Sequence, residues 1–453
     1  MKFKNVLDYI CGNEEVYIGV FSPLQSLLLL SLGPFIGKFF KILHELIKTH
    51  ITSKKFGKSA TNTLGSVISI NLFLNSFTSF FQSAITTKLP YLLGKKEYKL
   101  IPIVLNDFFK LSMLISFLIP ILIISLCLAM RFLFAIVIIN NDELKCLITI
   151  CSGYFISLLY SIMSSIVLAN GSSIIYGFAK VLESLISLLL MKIILHFSLD
   201  LWGYYLVSIL SEGVVGLMLF IFLHQKRIFN FSDFGLFKPF DHETKSTFSV
   251  GISSFINKFS YAILSFLMQF YLGNDLMFIY CIISQTNDLT SIIQNSLAHG
   301  YIPIASFLLA RKSGGLLFKI AIYFFWICEI WSLIISILFI LFPSKMCYWV
   351  SYNDYMIEKT IPKTTCFAVF QSFQIVVYST LHAMRYGKNS SILFILKFFV
   401  FLLCSSVLYL TDKNNKERIL DSYFYSDLIN IFIGVSFSIS PIKKMFQLEE
   451  EEE

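Results

Sequence analysis

The chain has 453 residues, of which 56% are hydrophobic and only 14% charged. A soluble globular chain usually carries about 25% charged residues, and a mean hydropathy of +0.74 over this length means more apolar surface than one buried core can hold. This excludes a soluble enzyme and a nucleic-acid-binding domain: the formal net charge of +8 comes from lysines and arginines that flank apolar segments and meet anionic headgroups, with no basic stretch interleaved with aromatics.

A hydrocarbon core of about 30 Å takes about 20 apolar residues per helix. Segments of that size predict helices over 27–50, 60–86, 103–138, 144–169, 173–197, 203–224, 248–272, 276–304, 315–342, 361–384, 389–411 and 424–441. The stretch Met1–Val16 is polar and mixed in charge, unlike a cleavable signal peptide, so the first helix is expected to act as its own insertion signal. The longest connection is Gln225–Thr247, with Lys226, Arg227, Asp241, His242 and the breaker Pro239. The run Glu449–Glu453 reads as a disordered acidic tail. The expected organisation is therefore a six-helix lobe over 1–224, a cytoplasmic linker over 225–247, a second six-helix lobe over 248–441 and an acidic tail over 442–453. The fold class is an all-α membrane protein of about twelve spans. With both termini cytoplasmic, Lys88, Lys95, Lys96, Arg227, Arg311, Lys312 and Arg385 all fall on the cytoplasmic side, as the positive-inside bias requires.

The halves repeat. Ser31-Leu32-Gly33 recurs as Ser249-Val250-Gly251, Tyr91–Lys96 as Phe307–Lys312, and the turn Asn170-Gly171-Ser172 as Tyr386-Gly387-Lys388. Six helices per repeat make the repeats parallel, related by an axis along the membrane normal.

Ionisable groups inside a bilayer are costly and tend to face a cavity or one another. Helix one carries Lys38, Lys41, Glu45 and Lys48, whose spacing puts all four within about 80° of one helical face. This stripe is expected to line a cavity, with Glu45 as a proton or sodium site. The alternative is an internally paired helix near the interface, since Glu45 can reach Lys41 or Lys48. Helix eight carries Gln285, Asn287, Asp288, Gln294 and Asn295. Gln285, Asp288 and Asn295 share a face that either contacts substrate or ion, or hydrogen-bonds to neighbouring helices. Glu329 and Glu212 stand alone as lesser candidates for coupling. Lys180 and Glu183 are expected to pair, as are Asp107 and Lys110.

No enzyme motif is present. His44-Glu45 opens like a zinc-protease helix, but Lys48 stands where the second histidine is needed. There is neither a Gly-x-Ser-x-Gly elbow nor a phosphate-binding Gly-x-x-x-x-Gly-Lys-Ser/Thr loop. The nine cysteines are scattered, without a Cys-x-x-Cys pair, and read as small packing residues. No cofactor is expected beyond a coupling H+ or Na+.

Ala84-Ile85-Thr86-Thr87 followed by Leu92-Leu93-Gly94-Lys95-Lys96-Glu97-Tyr98 resembles the end of helix two in the multidrug and toxic compound extrusion (MATE) family, within the multidrug/oligosaccharidyl-lipid/polysaccharide exporter superfamily. His299-Gly300, Ala305 and Leu309–Gly314 repeat it. Leu168–Ser173 and Leu381–Ser390 resemble the turns after helices four and ten, Trp202-Gly203 the start of helix six, and Pro34 a proline of the first helix. The resemblance implies two lobes around a central cavity, alternating access, a monomer, and an antiporter exporting organic cations or xenobiotics against H+ or Na+. Two departures are plain: helix seven has Asn257 and Lys258 where the family has an acid, and helix ten offers only Gln371 and Gln374. The lysines 38, 41, 48 and 258 favour a different cargo, so the alternative function is a flippase for an anionic lipid-linked oligosaccharide or precursor. A non-transporting scaffold is a third reading. The partners implied are the lipid bilayer and a small-molecule or lipid-linked substrate, and no nucleic acid. The sign of the cavity's charge separates the two transport readings.

Overall fold

The computed structural model describes residues 21–133, 141–196, 201–226, 239–272, 286–342, 368–411, 419 and 421–451. The long elements are α1 (Pro23–Gly94), α2 (Leu100–Leu133), α3 (Asn141–Ala169), α4 (Ser173–His196), α5 (Trp202–Gln225), α6 (His242–Leu272), α7 (Ile292–Ala310), α8 (Gly314–Leu341), α9 (Ala368–Ala383), α10 (Gly387–Thr411) and α11 (Ser422–Glu450).

The first helix starts at Pro23 rather than near 27 because Ser22-Pro23-Leu24-Gln25 is a capping box with proline at the first position. Serine satisfies a free N–H of the first turn and glutamine returns the bond. The helical run then continues for 72 residues, about 108 Å if it were straight. It is not straight. A Cβ on Gly300 of α7 would touch Ser31, and one on Gly94 would touch Phe307 and Ala310 of the same helix. The two ends of α1 therefore lie within a few turns of α7 from each other, and the run doubles back. The helices expected over 27–50 and 60–86 are its two limbs, with helical backbone carried through the connection.

Four tight turns punctuate the bundle in the same way. After α1, the Glu97 N–H bonds to the Leu92 carbonyl and the Lys96 N–H to Leu93; after α7, Ser313 bonds to Leu308 and Lys312 to Leu309. After α3 the pairs are Ser172 to Val167 and Gly171 to Leu168, and after α9 Tyr386 to Leu381 and Arg385 to His382. Each is a Schellman cap, which needs one left-handed residue, and Lys96, Gly171, Lys312 and Arg385 are the described residues with positive φ. Lys96 and Lys312 stand 216 positions apart, as the sequence repeat has it. The other pair, Gly171 and Arg385, stands 214 apart. This corrects the expected match of Gly171 with Gly387. Gly387 is used differently: a Cβ there would come within 2.4 Å of the Ser249 carbonyl carbon. It lets α10 touch α6, as Gly33 lets α1 touch α4.

The two halves pack alike. The first limb of α1 lies on α4, with a Cβ on Gly33 only 1.7 Å from the Ser173 carbonyl oxygen. The second limb, α2, α3, α4 and α5 share one apolar core, while α7, α8, α9 and α11 build the other with the start of α1. Between the lobes, the second limb runs against α6 through Phe73–Phe259, Phe77–Phe255 and Phe80–Phe248, with ring centroids 5.7, 4.8 and 5.8 Å apart. At the basic end the lobes are tied by polar groups. Lys88 is buried and pairs with Glu243, and Asp107, paired with Lys110 at 2.8 Å, accepts the Asp241 N–H at 2.8 Å and the Thr244 hydroxyl at 2.9 Å.

Two boundaries move. The start of α6 is His242 rather than 248, because the Asp241 carboxylate accepts the Glu243 N–H at 2.8 Å and caps the first turn. The last helix runs to Glu450, so residues 442–450 of the expected disordered tail are helical. Met445 and Leu448 are buried, and a Cβ on Gly314 would meet the Glu449 nitrogen at 2.4 Å.

Among the described residues nine helical stretches are long and apolar enough to cross a membrane. The other expected spans, 60–86, 276–304 and 361–384, correspond to the second limb of α1, α7 and α9, the last two described only in part. Nearly every residue of α7 from Ser296 to Leu309 is buried, so α7 faces protein along that length. The outer helices show lipid a continuous apolar surface, for example Phe117, Leu118, Leu189 and Phe432, the last 72% exposed. A patch that large is untenable in water. The protein is an integral, multi-pass membrane protein.

Candidate functional site: a charged cleft between the lobes

The site is built from the first limb of α1. Near its start, Leu27 and Leu30 are buried against Leu297, Ala298 and Tyr301 of α7, which seals the lobes together there. Further along the limb, the polar groups open to solvent. Lys41 is exposed, Lys38 and Glu45 are half-buried, and Lys258 of α6 and Asp288 are exposed. Lys38 has Lys258, Asp288 and Lys41 as electrostatic neighbours, and Asp288 in turn faces Lys258, Lys41, Lys38 and Glu45. The cleft thus brings together Lys38, Lys41, Glu45, Lys258 and Asp288 from both lobes. None of the three lysines has a hydrogen bond or ion pair among the described residues.

Lys48 points elsewhere. It is 1% exposed, donates to the Ser208 hydroxyl at 2.6 Å and lies 3.7 Å over the Tyr204 ring, both on α5. Ten residues on from Lys38, it sits at the edge of the stripe and turns into the first lobe. Asn295 donates to the Ser291 hydroxyl of its own segment at 2.9 Å. Gln294 is buried, its amide paired with the Ser332 hydroxyl of α8. Glu329 on α8 accepts from Ser372 on α9 at 2.6 Å, within the second lobe. Gln285 lies outside the described residues.

Behind the cleft wall the first lobe gathers more charge than its sequence motifs suggest. Glu45 accepts from the Tyr204 hydroxyl at 2.9 Å, and its other oxygen lies 3.5 Å from His44. Glu183 on α4 takes a hydrogen bond from Tyr160 at 2.5 Å and another from Lys180 at 3.2 Å. Glu212 on α5 is bonded by Ser157 of α3. Lys41 is the common electrostatic neighbour of Glu45, Glu183 and Glu212. Three carboxylates thus share the lobe with Lys48 and Lys180, with the exposed Lys41 at its edge, so the charge inside the lobe faces opposite charge. Each was readable as an ionisable group in an apolar run, with Lys180 and Glu183 as a pair. That Glu183 and Glu212 join Glu45 was not, since they sit on three different helices. The same signal marks Lys397 and Asp427 in the second lobe, which motif reading passed over.

These features define a polytopic membrane protein of two pseudo-symmetric helical lobes that enclose a charged cleft. No protein-family model and no curated protein matches the chain. Solved structures do. A MOP superfamily transporter from Pyrococcus furiosus Vc1 (DSM3638), whose reversed binding-pocket polarity suggested a different function, superposes with a TM-score of 0.84 at 16% identity, over 96% of this chain and 99% of that one. A MATE bound to MaD5 gives 0.83 at 15% identity, over 97% and 99%. A MATE multidrug resistance transporter in an outward-facing conformation gives 0.83 at 16%, again over 97% and 99%. The fold of this chain is that of the MATE transporters of the MOP superfamily.

Proposed function

We propose that the protein is a secondary active transporter working by alternating access, with an amphiphile bearing an anionic head group as its cargo. The observation that carries this is Lys38 and Lys258, which among the described residues have neither a hydrogen bond nor an ion pair, with Lys41 beside them and Asp288 opposite. A phosphate or carboxylate about 4 Å from an ammonium gains roughly 4 kcal/mol where the effective dielectric constant is near 20, and an organic cation is repelled by the same amount. Coupling would fall to Glu45, Glu183 and Glu212. Their proton or sodium occupancy changes the charge beside Lys41 and so the cleft's hold on an anion. The chemistry is binding and release, with no bond made or broken.

A second reading, export of organic cations in exchange for H+ or Na+, is favoured by Asp288, which is open to the cleft and could receive a cation. Proteoliposomes decide between them. A fluorescent anionic lipid and a fluorescent organic cation are each followed under an imposed proton or sodium gradient. Movement of the lipid that is lost in Lys38→Ala and Lys258→Ala supports the first reading. Gradient-driven movement of the cation that is lost in Asp288→Asn replaces it with the second. Folded protein that moves neither cargo under either gradient overturns both.

A further inference from the structure

The two seams between the lobes are related by the repeat, yet they close differently near the basic end. Where the start of α1 meets α7, Leu27 and Leu30 bury against Leu297, Ala298 and Tyr301. Where the end of α1 meets α6, charged groups make the contact. The repeat offsets show how far the two have diverged. Lys88 and Tyr91 correspond to Ile304 and Phe307, 216 positions on. Glu243 and Ser246 correspond to Gln25 and Leu28, 218 positions back. Arg385 corresponds to Gly171, 214 positions back. The same architecture thus closes one seam with an isoleucine, a leucine and a glycine where the other carries a lysine, a serine and an arginine. The fold by itself does not require these charges.

Three cations converge on one ring there. The Arg385 guanidinium and the ammonium groups of Lys95 and Lys88 lie 4.4, 5.1 and 5.5 Å from the Tyr91 ring centroid. Two of them share the Ser246 hydroxyl, which is 2.9 Å from Arg385 and 3.5 Å from Lys88. Carboxylates answer only part of this charge. Glu243 pairs with Lys88, and Glu97 lies 3.8 Å from Lys95. Arg385 has no carboxylate at ion-pair distance among the described residues, and of its five N–H donors one is used there, on Ser246. Like charges this close repel, and the face of the ring offsets only part of that. Unused donors around a shared hydroxyl suit an oxyanion, since a guanidinium grips phosphate through parallel N–H groups and an ammonium sits beside it as a point charge. The cluster can be reached. Ser246 and Lys95 are exposed and Arg385 and Tyr91 half-buried, while Lys88, 0% exposed, forms the back wall.

We propose that this cluster binds a phosphate monoester, and that the bound anion ties the lobes together at the basic end. Lys88 and Lys95 belong to the first lobe, Arg385 and Ser246 to the second, so one anion held among them bridges the seam. A phosphate monoester carries up to two charges on three oxygens and can meet all three cations at once, which a carboxylate cannot. Its source is free phosphate or a lipid head group, since basic pockets between membrane helices hold anionic head groups. The proposal rests on the geometry of the seam and not on the transporter reading, so it can be tested without a transport assay.

The protein in phosphatidylcholine nanodiscs is titrated with inorganic phosphate at constant ionic strength. In parallel it is placed in nanodiscs with rising, matched fractions of phosphatidic acid, a phosphate monoester, or of phosphatidylserine, which is not one. The readouts are the unfolding temperature and the distance between spin labels on the ends of α1 and α6. Inorganic phosphate, if the ligand is soluble, or phosphatidic acid, if it is a lipid, is expected to raise the first and narrow the spread of the second. Arg385→Asn, in which asparagine tolerates the left-handed backbone, is expected to shift the midpoint of that response at least about tenfold. Lys95→Gln also shifts it and carries the test if Arg385→Asn does not fold. Lys312→Asn, the same loss of charge at another left-handed turn residue, leaves it unchanged. Three outcomes overturn the proposal: a response to phosphatidylserine as large as that to phosphatidic acid, a response weakened equally in Arg385→Asn and Lys312→Asn, and no response of folded wild type to either phosphate.

Discussion

Gly33 shows how one residue sets the position of the charges. Its N–H donates to the Ser173 hydroxyl at 3.1 Å, and its missing side chain lets α1 and α4 meet backbone to backbone. Gly33→Ala forces that contact apart. It is expected to lower stability by about 1–3 kcal/mol, seen as a lower unfolding temperature in detergent, while an alanine at Gly213, whose nearest neighbour would be 3.3 Å away, costs less. The cleft charges themselves are the most legible part of the sequence. Lys38, Lys41, Glu45, Lys258 and Asp288 stand out because an ionisable group in an apolar helix needs a reason to be there. Their partners are not legible, since nothing in the chain order says that Tyr204 reaches Glu45 or that Tyr160 reaches Glu183. If Glu183 is part of the coupling group, Glu183→Gln abolishes gradient-driven movement in proteoliposomes but leaves downhill exchange of the same cargo. Loss of both would mean that the residue only holds the lobe together.

At the scale of elements, the contacts between α1, α2 and α6 at the basic end form a latch. Lys88 and Glu243 pair across the lobes, and Arg385 lies 4.4 Å over the Tyr91 ring while donating to Ser246 at 2.9 Å. A charged hydrogen bond of this kind is worth about 2 kcal/mol, enough to shift a two-state balance more than tenfold. Lys88→Glu is expected to lengthen the distance between spin labels placed on the ends of α1 and α6, and adding Glu243→Lys to restore it. The helices themselves were largely readable from hydropathy. The errors are local: the start of α6 followed the Asp241 cap, and the second repeat of the α3–α4 turn placed its left-handed residue at Arg385 because Gly387 is needed for contact with α6. Seen alone, a glycine does not reveal whether it serves a turn or a close approach.

For the whole molecule, the alternating-access proposal requires the lobes to move against each other about the seam between α1 and α6. Ser83 and Ser254 meet across it, their hydroxyls 2.5 Å apart. Cysteines at both positions, in a chain freed of its nine native cysteines, are expected to cross-link on oxidation and to stop transport, with a reductant restoring it. Full transport by the cross-linked protein would show that this part of the seam stays fixed through the cycle. The two-lobe plan is visible in the sequence through short repeated turns, whereas the gathering of Glu45, Glu183 and Glu212 in one lobe is not, because they lie on three helices far apart in the chain.

The three phenylalanine pairs along that seam bear on speed. Dispersion contacts have no preferred direction, and each is worth little by itself, so rings can slip past one another a few at a time. A row of hydrogen bonds would have to break in concert. On the alternating-access proposal, the seam is a greased bearing with a catch at one end and two serine pairs, Ser69–Ser265 and Ser83–Ser254, along its length. Loosening the catch at Lys88 and Asp107 is then expected to flatten the temperature dependence of the transport rate, whereas thinning the grease, by Phe77→Ala, barely changes it.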